Sequence, residues 1–278
     1  MNIRPTDISR IGQKLDHPES VCVEADGTVY AGGEAGQIYR ITPEGGQEEI
    51  ATTGGNILGV ELDGRGRVYV CDYERRGVFR VDTDGLLSLL SAGTDTRRMV
   101  LPNHLVFDRH GNLYVSDSGD YWAPSGTGCI FVVRPDGGTE VFHAGPFRYA
   151  NGLAIDPSEE WLYVAQSAAW NIVRIPLGTP NGRIEKMCTL RDHVVPDGLG
   201  FSAAGTLLIA CYRPDHILTC DPGGRVEVLC SDPTAELLIA PTDVCLHAGK
   251  LYVANLGGYH ISVLDSTMRP GPIHRPTF

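Results

Sequence analysis

Four polar side chains recur at equivalent positions of a sequence repeat, and their types suit a metal ion. Glu19, Asn103, Asn151 and Asp197 supply carboxylate and amide oxygens, which are the ligands that hard cations such as Ca²⁺ prefer. Polar residues at a channel mouth are often simply solvated, but two carboxylates brought together without Lys or Arg repel each other unless a cation intervenes. The sequence therefore predicts one bound divalent cation, with Ca²⁺ favoured and Zn²⁺, Mn²⁺ or Mg²⁺ as alternatives.

The elements that must position these side chains form a repeat that occurs six times in 278 residues. Each copy has a short apolar strand, a turn rich in Asp and Gly, a second and third apolar strand, and a more polar fourth strand. The residues that open the six copies follow one another at intervals of 39 to 48 residues and are Glu19, Leu58, Asn103, Asn151, Asp197 and Thr242. This period is typical of a propeller blade. The sequence thus predicts an all-β protein, one six-bladed β-propeller domain over residues 1–278, in which the opening residues surround one mouth of the central channel.

The ends of the chain indicate how the ring closes. The sixth copy ends after its third strand, whereas the segment Ile8–Leu15 precedes the first copy and has no partner there. We expect this N-terminal segment to supply the outer strand of the last blade, because closure removes an exposed sheet edge.

Composition excludes several classes of partner. A formal net charge of −11 without a basic run argues against nucleic acid and against an anionic membrane surface. No stretch approaches the roughly 20 apolar residues of a membrane helix, and the N-terminal segment lacks the apolar core of a signal peptide. The eight cysteines form no Cys-x-x-Cys pair and stand mostly in strand-like runs, so we interpret them as buried thiols. We expect a cytoplasmic protein that is a monomer or a weak homo-oligomer.

Several short motifs resemble those of the SMP-30/gluconolactonase/luciferin-regenerating-enzyme family of six-bladed lactonases, and the resemblance covers almost the whole chain. The motifs are Pro18–Glu19, Leu101–Pro102–Asn103, Asn151–Gly152–Leu153 and Pro196–Asp197–Gly198–Leu199. The resemblance implies that Glu19, Asn151 and Asp197 bind a divalent cation and that Asn103 contacts the cation or the substrate. It also implies hydrolysis of a sugar-type or other small lactone, with the cation polarising the carbonyl group.

The chain departs from this family beside Asn103. The family commonly has Pro-Asn-Asp there, whereas this chain has His104 after the Asn. Either Asp197 or His104 is expected to act as the base that activates water, and a His104 side chain that points sideways between blades is an equal alternative. No Gly-x-Ser-x-Gly motif is present, so a covalent acyl-enzyme is not indicated.

Loops around the same mouth are predicted to contact the lactone or ester substrate. The longest connection between a second and a third strand is Ser118–Gly128, which contains Tyr121 and Trp122 and suits a lid or a cavity wall, although a solvated loop is the simpler interpretation. Together with Asn103 and Arg148, these aromatic residues are the predicted substrate contacts. Further candidates for the rim are Tyr149, Tyr212 and Arg213.

Two other functions are compatible with a propeller. The chain also resembles strictosidine-synthase-like propellers at Asn151–Gly152–Leu153, but the catalytic Glu of that family corresponds to Leu246 here. A non-catalytic propeller that binds a ligand or a protein would not need converging carboxylates. We favour both hypotheses less than that of a metal-dependent lactonase.

Overall fold

The computed structural model describes residues 8–278, which form six antiparallel sheets of four strands each, arranged in a ring. The predicted all-β, six-bladed propeller is therefore confirmed. Residues 1–7 lie outside the described part of the chain. They include the start of the N-terminal segment in which we predicted no signal peptide.

Each blade is a meander whose first strand is innermost. The first blade consists of β2 (Val21–Val23), β3 (Val29–Gly32), β4 (Gln37–Ile41) and β5 (Gln47–Thr52). The second consists of β6 (Ile57–Leu62), β7 (Val68–Asp72), β8 (Gly77–Val81) and β9 (Leu87–Ser91). The third consists of β10 (Pro102–Phe107), β11 (Leu113–Asp117), β12 (Gly128–Val133) and β13 (Thr139–Phe147).

The remaining blades repeat this order. The fourth consists of β14 (Ala150–Ile155), β15 (Trp161–Gln166), β16 (Asn171–Pro176) and β17 (Glu185–Thr189). The fifth consists of β18 (Val195–Phe201), β19 (Leu207–Arg213), β20 (His216–Cys220) and β21 (Val226–Ser231). The sixth consists of β22 (Pro241–His247), β23 (Lys250–Asn255), β24 (Ile261–Asp265) and, as its outer strand, β1 (Ile8–Ile11).

The N-terminal strand closes the ring as predicted. It runs antiparallel to β24, with Ile8 opposite Leu264 and Ile11 opposite Ile261. It is shorter than the predicted segment Ile8–Leu15, because Gly12 has a φ of +71° and turns the chain out of the ladder. A side chain has no room at Gly12, where an added Cβ would lie 2.8 Å from Leu15 Cδ1.

The hydrophobic core lies between neighbouring blades. In one of these layers, Leu153 and Val164 of the fourth blade pack with Tyr114 and Ile130 of the third. Outer strands are more exposed than inner ones, as β5 shows when it is compared with the fully buried β3. All eight cysteines are buried, in agreement with their interpretation as small apolar residues. Packing of this kind fixes each blade against both neighbours, so the inner strands form a rigid wall around the channel.

The C-terminal segment covers the channel end opposite to the opening residues. Gly271 N–H donates to Phe201 O (2.8 Å) in the fifth blade, and Gly64 N–H of the second blade donates to Pro276 O (2.8 Å). Between these anchors the Arg275 guanidinium donates to Val23 O. The segment lines a channel cavity of about 100 Å³, so a ligand would reach the opening residues from their own mouth.

The described helical structure is limited to one 3-10 turn, Ser167–Ala169. Within residues 8–278, no helix has the length and apolar character needed to cross a bilayer.

Candidate metal centre and substrate cavity

The opening residues stand at a recurring irregularity in the pairing of the inner strands. In five blades the ladder between the first and second strands shifts register at this position, so the opening residue is left out of the regular pairing. The residues that it leaves out include Leu58, Asn103, Asn151, Asp197 and Thr242. A bulge re-aims a side chain and is common beside active sites. In the first blade Glu19 stands just before β2, whose ladder begins at Val21.

A cavity of about 300 Å³ opens at this mouth. Glu19, Asn151 and Asp197 line it together, and Ser167 lies beside them. The other lining residues are Tyr121, Tyr149, Val195, Tyr212, Arg213 and Leu256. The structure therefore brings three of the four predicted cation ligands into one cavity.

The two carboxyl groups in the cavity have strongly perturbed acidity. Burial raises the pKa of Glu19 to about 8, and the nearby carboxyl groups of Glu34 and Asp243 add to this shift. The pKa of Asp197 is also raised well above its usual range. Burial is the main cause and repulsion from Glu19 and Asp243 adds to it, while a hydrogen bond from Asn151 opposes the change. Without a cation, the Glu19 carboxyl group would hold its proton at neutral pH, and the pKa of Asp197 is shifted in the same direction. A divalent cation would replace the Glu19 proton and oppose both shifts.

The amide of Asn151 provides an independent test of whether a cation fits. Its Nδ2 donates to Ser167 Oγ (3.1 Å), and Ser167 Oγ donates in turn to Pro196 O (2.7 Å), so the amide orientation is fixed. The opposite atom, Asn151 Oδ1, is buried and has no hydrogen-bond partner among the described residues. An unpaired buried carbonyl oxygen costs about 1–3 kcal/mol. Coordination of a hard cation by this oxygen, with Glu19 and Asp197, would remove that cost.

A second set of potential ligands lies beside the mouth and was missed by sequence reasoning. One ligand atom each of Asp16, His17 and Glu34 lies within 4.8 Å of the other two. The His17 Nδ1 atom is 2.7 Å from Leu256 O, which leaves Nε2 available. This set is more exposed than the cavity floor and offers no buried unpaired atom. We therefore regard Glu19, Asn151 and Asp197 as the better cation site.

The predicted substrate contacts are distributed unevenly. Tyr121 lines the cavity and packs against Tyr149, with ring centroids 5.0 Å apart. Trp122 is 83% exposed and contacts Tyr121 from outside, while Arg148 is exposed and is not a lining residue. Asn103 is buried beside the mouth and does not line the cavity either. Only Tyr121 of this predicted set therefore borders the space that a substrate would occupy.

The residues that directly follow the opening residues form a second ring, deeper in the channel. They are Ser20, Gly59, His104, Gly152, Gly198 and Asp243. Glycine allows neighbouring inner strands to approach closely, since an added Cβ at Gly152 would lie only 2.2 Å from Asp197 O. At Gly59 the corresponding distance to Asn103 O is 2.5 Å. The glycines of the second ring thus set the position of the next opening residue.

We predict that Gly152→Ala lowers the free energy of unfolding by about 1–3 kcal/mol, because the new methyl group displaces the Asp197 backbone. The same displacement should weaken cation binding. Gly178→Ala is the matched control, since a Cβ there meets no atom within 4 Å, and its effect should stay within about 0.5 kcal/mol. Urea unfolding in EDTA and calcium titration of both variants measure the two effects. Equal behaviour of the two variants would contradict the prediction.

His104 lies in the second ring and faces the channel. Leu153 N–H donates to its Nδ1 (3.3 Å), so the neutral ring carries its hydrogen on Nε2, which is 3.5 Å from Asp243 Oδ1. His104 lines the channel cavity and not the mouth cavity. The His104 ring thus contacts the neighbouring fourth blade through Leu153 and also borders the channel. Its catalytic role stays a prediction, and its place behind the opening residues favours Asp197 as the base.

Comparison with known proteins places these features in a family. A family model described as SMP-30/Gluconolactonase/LRE-like region matches residues 18–256. The lactonase drp35 of Staphylococcus aureus (strain USA300) is 24% identical over 218 residues, which cover 75% of this chain and 65% of that protein. A gluconolactonase of Zymomonas mobilis is 27% identical over 233 residues, which cover 71% of this chain and 64% of that protein. The chain thus spans slightly less than two thirds of these relatives.

Solved structures share the fold at lower identity. A gluconolactonase of Xanthomonas campestris has a TM-score of 0.78 and 19% identity, with 93% of this chain and 89% of that chain covered. A luciferin-regenerating enzyme has a TM-score of 0.76 and 17% identity, with 97% and 98% covered. The virginiamycin B lyase of S. aureus has a TM-score of 0.69 and 14% identity, with 93% and 98% covered. Because proteins named as lactonases and as a lyase share this propeller, its chemistry has to be argued from the site.

Proposed function

Because the chain belongs to the SMP-30/Gluconolactonase/LRE-like family, we propose that it is a divalent-metal-dependent hydrolase that opens a small lactone. The observation that carries this proposal is the buried, unpaired Asn151 Oδ1 beside the carboxyl groups of Glu19 and Asp197. Ligands that are all oxygen favour Ca²⁺, and Mg²⁺, Mn²⁺ or Zn²⁺ are alternatives. We place this activity in the cytoplasm.

The reaction divides between the cation and the side chains around it. When bound by Glu19, Asn151 and Asp197, the cation would act as a Lewis acid toward the lactone carbonyl oxygen. The oxygen of the attacking water adds to the carbonyl carbon, while one oxygen of the Asp197 carboxylate, which lines the cavity, accepts a proton from this water. The ester C–O bond then breaks, and Asp197 returns the proton to the departing alkoxide oxygen. The product is the open-chain hydroxy acid.

The walls of the cavity determine which lactones fit. Tyr121, Tyr149 and Tyr212 present flat rings with polar hydroxyl groups, and Val195 and Leu256 add aliphatic surface. A ring of five or six atoms fits the volume of about 300 Å³. Sugar-type lactones can stack on the rings while their hydroxyl groups bond to the phenols. In this scheme Asn103 and His104 lie behind the cavity wall and do not contact the lactone directly.

The other sequence-based functions receive less support from the residues present. Leu246, at the position of the catalytic Glu of strictosidine-synthase-like proteins, is buried in the apolar layer between the fifth and sixth blades. A propeller that only binds a partner has no use for two carboxyl groups of raised pKa around an unpaired amide oxygen. We therefore propose neither of these two alternatives as a second function.

Chelation tests the proposal directly. Purified protein should hold about one divalent cation, and EDTA should abolish hydrolysis of a panel of sugar and aliphatic lactones. Hydrolysis should return when Ca²⁺, Mn²⁺, Zn²⁺ or Mg²⁺ is added back singly. Full lactonase activity in excess EDTA, or failure of every cation to bind the stripped protein in calorimetry, would overturn the proposal.

A further inference from the structure

We propose that Asp243 is a positioning residue that holds Glu19 in the orientation needed for cation binding and acts through Ser20. The proposal rests on the function proposed above and adds a residue to its site. Asp243 neighbours Thr242, the opening residue of the sixth blade, and belongs to the second ring. Its side chain is buried in the channel.

The contacts of Asp243 lead directly to the chain beside Glu19. Asp243 Oδ2 accepts hydrogen bonds from Ser20 Oγ (2.8 Å) and from Val21 N–H (3.1 Å). Glu19 itself precedes the first ladder pair of its blade, Val21 with Ala31. The other three predicted ligands, Asn103, Asn151 and Asp197, stand at bulges inside inner strands, but Glu19 stands outside its strand. The hydrogen bonds to the Asp243 carboxylate therefore anchor the backbone next to Glu19, as strand pairing does beside the other opening residues.

Ser20 extends this anchorage to the second blade. Its hydroxyl group is fully buried and, besides donating to Asp243, accepts a hydrogen bond from Val60 N–H (3.1 Å). One hydroxyl group thus joins the inner strands of the sixth, first and second blades directly below the mouth. Ser20 donates to a carboxylate and not to His104, so this trio does not form a serine nucleophile with its base.

Asp243 is itself confined by its neighbours. Its Oδ1 accepts Val244 N–H (2.8 Å) and lies 3.5 Å from His104 Nε2. On the fifth-blade side, Gly198 leaves room for it, because a Cβ there would lie 2.3 Å from Asp243 Oδ1. Each Asp243 oxygen accepts a backbone N–H. In an asparagine at this position, the NH₂ group would therefore face one of these N–H donors in either orientation of the amide. Asp243→Asn should therefore break the anchorage while preserving the shape of the side chain.

Calcium titration calorimetry on the full chain tests the proposal. We expect Asp243→Asn to weaken calcium binding about 10-fold, the lower end of the effect of losing a group that orients a ligand. Ser20→Ala removes no charge and should weaken it about 3-fold. The double variant should bind about as weakly as Asp243→Asn alone, because both changes break one chain of hydrogen bonds.

Asp108→Asn is the matched control. Asp108 is also buried and accepts the backbone N–H groups of His110 and Asn112, but it follows the far end of β10. It should lower thermal stability in EDTA while leaving the calcium affinity within about 2-fold. If Asp243→Asn behaves like this control, or if the double variant shows the full product of the single effects, the positioning role is wrong and the proposed function stands. If the unaltered protein binds no cation, both proposals are overturned.

Discussion

Asp197→Asn is expected to lower kcat/KM for lactone hydrolysis by about 10³-fold. Asparagine keeps one amide oxygen for the cation but removes the group that takes the proton from water, and a positioned base contributes about 10²–10⁴-fold. Asp197 is suited to this task because its buried carboxyl group lines the mouth cavity, where the water and the lactone would meet. Initial rates with a sugar lactone at saturating Ca²⁺ measure the effect.

Glu19→Gln separates proton transfer from cation binding in the same assay. Glu19 has no part in proton transfer in our scheme, so this variant should need more Ca²⁺ and then recover much of its rate. Asp108→Asn, far from the mouth, should retain normal rates. An Asp197→Asn variant within about 10-fold of the unaltered enzyme, at a cation concentration that saturates it, would assign the base to another group, and His104 would be the next residue to replace.

The fold was predictable because its determinants are local and repeated. Alternating apolar residues in each copy, with turns between them, specify four strands, and six copies with an incomplete last one specify the closure by β1. The end of that strand was not predictable from polarity alone. The pattern continues to Leu15, which is buried, whereas the positive φ of Gly12 ends the pairing at Ile11.

The candidate site was predictable only in part, because the repeat indicates which residues open each blade but not where each side chain points. Alignment placed Asn103 with Glu19, Asn151 and Asp197, yet Asn103 does not border the mouth cavity. Asp243 was overlooked because the repeat drew attention to Thr242. A bulge shifts the alternation of side chains by one position, so the neighbour of an opening residue can also face the channel.

Cation affinity is expected to rise by about 50-fold between pH 6 and pH 8 through the Glu19 proton alone, because one displaced proton gives about 10-fold per pH unit well below the pKa and less as the pH approaches it. The reason is the pKa of Glu19, about 8 in the metal-free protein, so a cation that binds below that pH must release the Glu19 proton. Calcium titration at pH 6, 7 and 8 measures this. Glu19→Gln should remove this rise, and any pH dependence that the variant keeps would come from Asp197. An affinity that is constant over this range would show that the carboxyl groups are already ionised without a cation.

The same pKa fixes the sign of a second effect, on the stability of the metal-free protein. Its folded form holds the Glu19 proton up to about pH 8, whereas the unfolded chain releases it near the ordinary value of 4.5. The folded state therefore binds more protons between these values, and its free energy of unfolding must fall as the pH rises through this window. With saturating Ca²⁺ the fall should disappear, because the cation takes the place of the proton. Thermal unfolding from pH 5 to pH 8.5, in EDTA and in Ca²⁺, should thus give curves that diverge towards high pH, and parallel curves would contradict the linkage between Glu19 and the cation.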